Sequence, residues 1–313
     1  MTVTGSCHKQ GASIVLEDVM EHTSNTLRPL LLSIAYRMLG SFGDAEDVVQ
    51  EAYLRLHREP EVESDKAFLT TVTTRLAIDQ LRSARRQRET YIGPWLPDPA
   101  VDEYVDLADR AALSDSLSTA FLVVLERLSP DQRAVFLLHD VFGYSYEEVA
   151  AIVLKSQAAC RQLTVRARRQ LADGRPRYDA SPRERDELAE RFLAACREGE
   201  LEGLLELLAP DATFTGDGGG KADAFPRPIL GADRVARTLI GAFGRLARLG
   251  LRIEPVHVGG QPALRMCGAE DRTLAVWSLL VAEGVVVAIH GVVNPDKLTH
   301  LQPLGSGNAD QQG

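Results

Sequence analysis

Apolar positions in the first quarter of the chain fall three or four residues apart, the spacing that lines one face of a helix. Leu31, Ile34, Ala35, Met38 and Leu39 make one stripe, and Ala45, Val48, Val49, Ala52, Leu54 and Leu56 resume it after a turn at 41–43. Phe68, Leu69, Val72, Leu76 and Leu81 predict a third helix, from about 66 to 86, whose far end is strongly basic. Together they define a helical block at 27–91. Pro94, Pro97 and Pro99 end it, because proline lacks a backbone donor and restricts the residue before it. A Pro- and acid-rich connector is expected at 92–112.

A second helical block follows at 113–173, opening with an apolar run from 113 to 128. Ser129 is an N-cap and Pro130 takes the first helical position, where a missing N–H matters least, so a helix to about 141 is predicted. Ser145 with Glu148 has the capping-box spacing and opens a short helix to 153; Ser156 can cap a basic helix reaching 171. Short helix, tight turn and basic helix is the order of a helix-turn-helix. Gly174, Pro176 and Pro182 mark a linker at 174–182.

The pattern then changes. Helices at 183–197 and 201–208 precede β-type runs at 212–215, 251–258, 263–267, 274–282 and 285–293. They predict an α+β domain over 183–301, with one curved antiparallel sheet against helices. The expected fold class is therefore multi-domain, two all-α units and a C-terminal α+β domain, with 1–26 and 302–313 as flexible ends.

Composition agrees with ordinary globular domains: 45% of the 313 residues are hydrophobic and 25% charged. No apolar run approaches the roughly 20 residues a membrane helix needs. The N-terminus lacks a basic start and apolar core, so the chain is expected to stay in the cytoplasm. Cys7, Cys160, Cys196 and Cys267 stand singly, a spacing that argues against a zinc site or disulfide framework and predicts free, mostly buried thiols. A net charge of −9 opposes nucleic-acid binding in bulk, but Arg82, Arg85, Arg86 and Arg88, and then Arg161, Arg166, Arg168 and Arg169, concentrate positive charge in two places.

Asp44, Asp47, Gln50 and Glu51 share one helix face opposite Val48 and Val49. On charge alone such a face suits either a basic partner or solvent. The order Asp47-Val-Val-Gln50-Glu51 resembles the core-polymerase-binding motif of sigma factor region two, in which the matching Asp, Gln and Glu face the clamp helices of the largest polymerase subunit. Residues 67–82 resemble the promoter-melting and minus-ten-reading segment of extracytoplasmic-function (ECF) sigma factors. Phe68 stands where Trp is usual and Arg75 where Asn is usual, so the bases held by the loop at 59–66 do not carry over. Basic grooves typically hold melted strands, which suits Arg82, Arg85 and Arg86 as DNA contacts, while charge alone fits a solvated basic helix end equally.

Residues 144–171 resemble sigma region four, the helix-turn-helix that reads the minus-thirty-five element. The resemblance implies Arg161, Gln162 and Arg166 as DNA contacts in the major groove, with Arg168 and Arg169 on phosphate. Leu154 and Gln157 stand where the family often has Gly and Pro. In the connector, Trp95-Leu-Pro-Asp98-Pro99 is similar to the subgroup of the SigJ type. Asp98, Asp102, Glu103, Asp106 and Asp109 there suit either a nucleic-acid mimic lying in a basic polymerase channel or a plain solvated linker.

The C-terminal stretch resembles the SnoaL-like cone of that subgroup, through Asp217-Gly218-Gly219-Gly220-Lys221 and Asn294-Pro295-Asp296-Lys297-Leu298. Ala222 after Lys221 and the nearby Pro226 and Pro228 exclude a nucleotide loop. A mobile hydrogen-bonding loop that touches the sigma regions is expected instead. The resemblance implies a cone that docks across both regions and regulates from within the chain. Its partners are then core RNA polymerase and promoter DNA, without a membrane or a separate anti-sigma protein, and the free chain is a monomer. No catalytic residue, cofactor or metal is assigned: His257, His290, Trp277 and Asp211 are candidates for a cone enzyme, but no spacing orders them as a pair. A ligand-sensing regulator and a SnoaL/isomerase-type enzyme fused to a DNA-binding module are the alternatives.

Overall fold

The computed structural model describes residues 26–59, 62–88, 90–102, 118–172 and 181–301. The predicted termini and the linker at 174–182 fall almost entirely outside them, as do Cys7, Glu103, Asp106 and Asp109. Helix α1 spans 26–39. Helix α2, Phe42–Arg58, starts where the Ser41 hydroxyl accepts from the Asp44 N–H, and α3 is Asp65–Arg88. In the second block α4 is Thr119–Leu125, shorter than the predicted run, and α5 is Pro130–Phe136 continuing as a π-turn at Leu137–Val141. Helix α6, Tyr146–Val153, and α7, Gln157–Ala172, form the helix-turn-helix. Ser129 with Gln132 and Ser145 with Glu148 close full capping boxes, each satisfying two end donors at once.

The two blocks share one core. Leu31, Ile34, Met38, Leu69 and Ala77 lie in the same apolar cluster as Leu122, Leu125, Phe136, Val149 and Ile152. Helix α3 makes this possible, since Thr70, Thr73 and Thr74 are buried as well as its apolar stripe, so the helix is covered on more than one side. Polar seams reinforce the junction. The buried Arg133 donates from Nε to the Arg37 carbonyl at 3.0 Å, and the Arg37 guanidinium lies 5.3 Å from the centre of the Phe142 ring.

The C-terminal domain runs α8 (Pro182–Glu198), α9 (Leu201–Leu207), β1 (Leu208–Asp217), β2 (Ile229–Leu230), α10 (Ala232–Arg248), β3 (Arg252–Val258), β4 (Gln261–Cys267), β5 (Thr273–Ala282) and β6 (Val285–Val292). A 3-10 turn, Pro295–Leu301, follows. The strands form one sheet in the order β2-β1-β6-β5-β4-β3. It is mixed rather than antiparallel: β1 leaves the helices in the same direction as β6 and pairs with it parallel, Phe214 opposite Ile289 and Asp217 opposite Val292. Helix α10 was not among the expected elements.

Both faces of the sheet are covered. On one, Phe192, Leu204, Leu239 and Phe243 of the helices pack against Leu264, Trp277 and Ile289. On the other, Val256, Val258, Val276 and Val292 pack against Leu96 and Val101 of the connector and Leu298 and Leu301 of the 3-10 turn. Every residue of β4 is consequently buried. Cys160, Cys196 and Cys267 are free and buried.

Candidate functional site

The connector is the best-tied segment between the helical blocks and the sheet. Asp217, at the end of β1 and 0% exposed, gathers three donors. Its carboxylate accepts from the Tyr91 hydroxyl, from the Leu96 N–H at 2.8 Å and from Lys297 Nζ at 2.8 Å. Lys297 also donates to the Leu96 carbonyl and sits 4.1 Å from the centre of the Trp95 ring. Asn294 Nδ2 donates to the Tyr91 hydroxyl at 3.0 Å, and Lys221 pairs with Asp296. The two C-terminal signatures thus meet each other and jointly hold residues 91–96. Burial, reinforced by the hydrogen bond to Asp217, pushes the Tyr91 phenol well above its ordinary range and keeps it a donor.

The glycines are there for closeness. Gly219 and Gly220 have positive φ, and a Cβ on Gly219 would lie 2.2 Å from Asn294 Nδ2, one on Gly220 2.8 Å from Ile92 Cδ1. The loop expected to be mobile is braced against Tyr91, Asn294 and Ile92. Pro295 starts the 3-10 turn and Leu298 buries beside Leu96.

Further along, the connector is fastened on both sides. Toward the first block, the Asp98 carboxylate accepts from the Phe42 N–H at 2.8 Å, Asp98 N donates to the Gly40 carbonyl and the Tyr36 hydroxyl donates to the Asp98 carbonyl. Burial raises the Asp98 carboxyl to about 7, against the lowering influence of the Phe42 N–H and Lys297. Toward the sheet, the Asp102 carboxylate accepts from the N–H groups of Gly259 and Gly260, and His300 Nε2 donates to the Pro99 carbonyl. Burial lowers the His300 imidazole to about 4, which keeps it neutral. These contacts make the described part of the connector a packed strap rather than a solvated tether. Tyr91, Ile92, Trp95 and Asp102 as contacts were not singled out from the sequence.

Of the proposed polymerase contacts, Asp47 and Gln50 are exposed on α2, and Glu51 beside them is half-buried and paired with Arg55 at 2.8 Å. Exposed Leu54 extends the same face. Of the proposed DNA contacts, Arg161, Gln162, Arg166 and Arg169 are exposed on α7. Arg161 lies over the Tyr146 ring, while Arg168 is held by the Asp140 carboxylate at 2.8 and 2.9 Å. Ser156 caps α7 through the Ala159 N–H, and Leu154 takes the left-handed conformation, φ 55°, which explains why glycine suits that turn. Gln157 is the first helical residue, where proline suits equally well.

Arg82 is occupied, bonded to Asp79 at 3.0 Å and to Asp131 of α5 at 3.1 Å. The side chains of Arg85, Arg86 and Arg88 lie outside the described residues. Arg75 of α3 donates to the carbonyls of Ile152 at 2.8 Å and Ala151 at 3.0 Å, at the end of α6. The segment expected to melt promoters is therefore pinned to the helix-turn-helix.

Comparison with known proteins identifies the two helical blocks. Residues 24–87 match the family model of Sigma-70 region 2, and residues 118–171 that of Sigma-70, region 4. Over 303 residues the chain is 39% identical to the ECF RNA polymerase sigma factor SigJ of Mycobacterium tuberculosis, covering 90% of this chain and 96% of that one. This chain belongs to the ECF sigma factors. The ECF sigma factor SigG of the same organism is 35% identical over 228 residues, 63% of this chain and 60% of that one. The crystal structure of the M. tuberculosis SigJ superposes with a TM-score of 0.73 at 37% identity, over 89% of this chain and 98% of that one.

The sigma factor accordingly serves to direct core RNA polymerase to promoters at transcription initiation. No helix among its described residues is long and apolar enough to cross a membrane. Its C-terminal domain scatters the four residues considered for an enzyme. His257 pairs with Asp186 at the surface, Asp211 is exposed, and strand alternation sets His290 and Trp277 on opposite faces of the sheet. Burial lowers His290 to about 4. Glu254, Cys267 and Asp271 bring three ligand atoms together, but arginines fill the space: Arg265 bonds Glu254 at 2.6 Å, and Arg252 pairs with Asp271.

Proposed function

We propose that this sigma factor rests in a closed form, in which the SnoaL-like domain grips the connector and keeps regions two and four together until polymerase and promoter draw them apart. The Asp217 network on Tyr91, Leu96 and Lys297 carries this reading, because it uses both C-terminal signatures and has the connector as its target. Region four adds a direct contact, Thr119 Oγ1 to Ser278 Oγ at 3.0 Å, between α4 and β5.

In the open form Asp47, Gln50 and Glu51 dock on the polymerase clamp, with Leu54 adding apolar area. Arg161, Gln162 and Arg166 read base edges in the major groove, and exposed Val165 between them suits a thymine methyl group. Arg169 meets phosphate, Arg168 follows once Asp140 lets go, and Arg82, Arg85 and Arg86 serve the melted strand.

Transcription with purified core polymerase tests both halves. Changing Asp47, Gln50 and Glu51 together to alanine is expected to abolish co-purification with core, and retained binding would refute the docking face. Asp217→Ala is expected to raise transcript output at limiting protein, and unchanged output would refute the grip as a regulator.

A further inference from the structure

The SnoaL-like domain holds a cavity of about 710 Å³ between the helix-facing side of the sheet and α10, a volume within the range that takes small organic ligands. Phe214, Trp277 and Phe225 form its walls, with Phe214 at right angles to the other two, 5.2 Å from Trp277 and 6.1 Å from Phe225. Such a box accepts a flat ring edge-on or in offset stacking. The polar side chains are few: Thr238, whose hydroxyl is spent on the Arg234 carbonyl, and Arg245 and Asp223 at the rim, 3.8 Å apart and well exposed, so the cation is only loosely held.

Two observations go beyond shape. The Trp277 indole N–H is buried and has no hydrogen-bond partner among the described residues; it abuts Gly291, which also lines the cavity. A buried donor without an acceptor is unfavourable, and an acceptor on a bound molecule reaching that edge would satisfy it. Helix α10 also keeps Gly241 in its interior, although glycine is a poor helix former. No neighbour requires this, since a Cβ at Gly241 would meet nothing within 4 Å. What a side chain there would occupy is the cavity itself.

The walls run directly into the grip on the connector. Phe214 and Gly216 lead to Asp217, Gly291 and Val293 lead to Asn294, and the Asp223–Phe225 wall follows the glycine loop, whose Gly218 carbonyl accepts from Ala222 N–H. We propose that this cavity binds a flat, mainly apolar ring molecule bearing one hydrogen-bond acceptor, and that its occupancy tightens the hold on the connector. The coupling runs through those shared walls: where they hold this shape only while Asp217 and Asn294 are engaged, a ligand that fits the gripped shape favours that state. The second half rests on the closed form proposed above.

The probe is 6-acetyl-2-dimethylaminonaphthalene, whose flat rings match the aromatic walls and whose carbonyl can accept from the Trp277 N–H. Titrated into the full chain, it is expected to saturate at one site per chain and to slow hydrogen exchange of the Leu96 amide several-fold. Gly241→Leu, which fills the cavity, is expected to weaken the site at least about tenfold. Trp277→Phe, which keeps a ring and removes the donor, is expected to weaken it a few-fold and provides the test should the leucine disturb α10. Absence of a saturable site, or equal affinity in wild type and both variants, overturns the cavity as a ligand site. Saturation with unchanged Leu96 exchange overturns the coupling. In Asp217→Ala the site should remain while its effect on Leu96 disappears, so failure of the cavity and failure of the grip are read separately.

Discussion

Asp217→Ala is the sharpest perturbation available. Two of the three bonds to this carboxylate belong to the connector, from the Tyr91 hydroxyl and the Leu96 N–H; the third comes from Lys297 of the same domain. A hydrogen bond to a charged group contributes about 1.5–3 kcal/mol, so the two connector bonds together hold it by about 3–6 kcal/mol. Removing Asp217 also leaves Lys297, whose side chain is 10% exposed, without its counter-charge. That loss falls on the domain whether the connector is bound or not, although Lys297 keeps the Leu96 carbonyl and the Trp95 ring. At about 1.4 kcal/mol per tenfold, 3 kcal/mol opens the strap on the order of a hundred times more often. Hydrogen exchange read at residues 90–102 checks this, with a thermal melt to confirm that the sheet is intact. Asp217→Asn, which keeps an acceptor and the shape, should fall between. Leu96 exchanging within about threefold of wild type in folded Asp217→Ala would refute the reasoning.

Other expectations follow from single contacts. Arg75→Ala removes both bonds to the end of α6 and should weaken the junction of regions two and four by about 1–3 kcal/mol, seen as a longer distance between fluorophores placed on α2 and α7. Leu154→Gly should raise the melting temperature: the left-handed conformation costs a non-glycine residue about 1–2 kcal/mol, glycine gives back about 0.5–1 in chain entropy, and Leu154 is 75% exposed, so little burial is lost. For Asp98, a carboxyl raised from 3.8 to about 7 binds its proton more tightly when docked than when free. Its contribution to docking is strongest below about pH 4 and is lost progressively as the pH rises to 7. His300, lowered to about 4 when docked, acts in the opposite sense below pH 6.5, so the Asp98 contribution of about 1–2 kcal/mol between pH 7.5 and 5.5 is read as the difference in connector exchange between wild type and Asp98→Asn, after correction for intrinsic rates.

Local signals in the sequence read well. The serine caps at 129, 145 and 156 and the basic helix after Leu154 lie where their spacing places them, because capping chemistry depends on residues three apart and on little else. The exposed Asp47 and Gln50 follow from helical periodicity in the same way. Helix α10 was legible yet passed over: Val235, Ala236, Leu239 and Phe243 have the right spacing, but Gly241 and Gly244 argue against a helix interior. The direction of β1 could not be read, since strand pairing depends on where the chain returns 70 or so residues later. Nor could the shared core of the two helical blocks, because Thr70, Thr73 and Thr74 look like a solvated face until α5 and α6 cover them. The signatures were visible as strings, but their common target, residues 91–96, emerges only when Asp217 and Asn294 stand side by side.

The shared core also accounts for a sigma factor with a net charge of −9. Its acidic residues are not merely spread over the surface; several are matched to the arginines that DNA would need. Asp131 and Asp79 hold Arg82, Asp140 holds Arg168, and backbone carbonyls of α6 hold Arg75. Each exposed pair is worth little alone, about 0–1 kcal/mol, and is screened by salt. Separating the regions breaks the Asp131 and Arg75 contacts together, since both cross the junction, while Asp140 lies within region four and yields only to phosphate. Opening therefore changes the electrostatics of region two in one step and of region four hardly at all. DNA affinity of the isolated recognition face should depend on salt equally in closed and opened variants, whereas the contribution of Arg82 should appear only when Arg75→Ala has opened the junction.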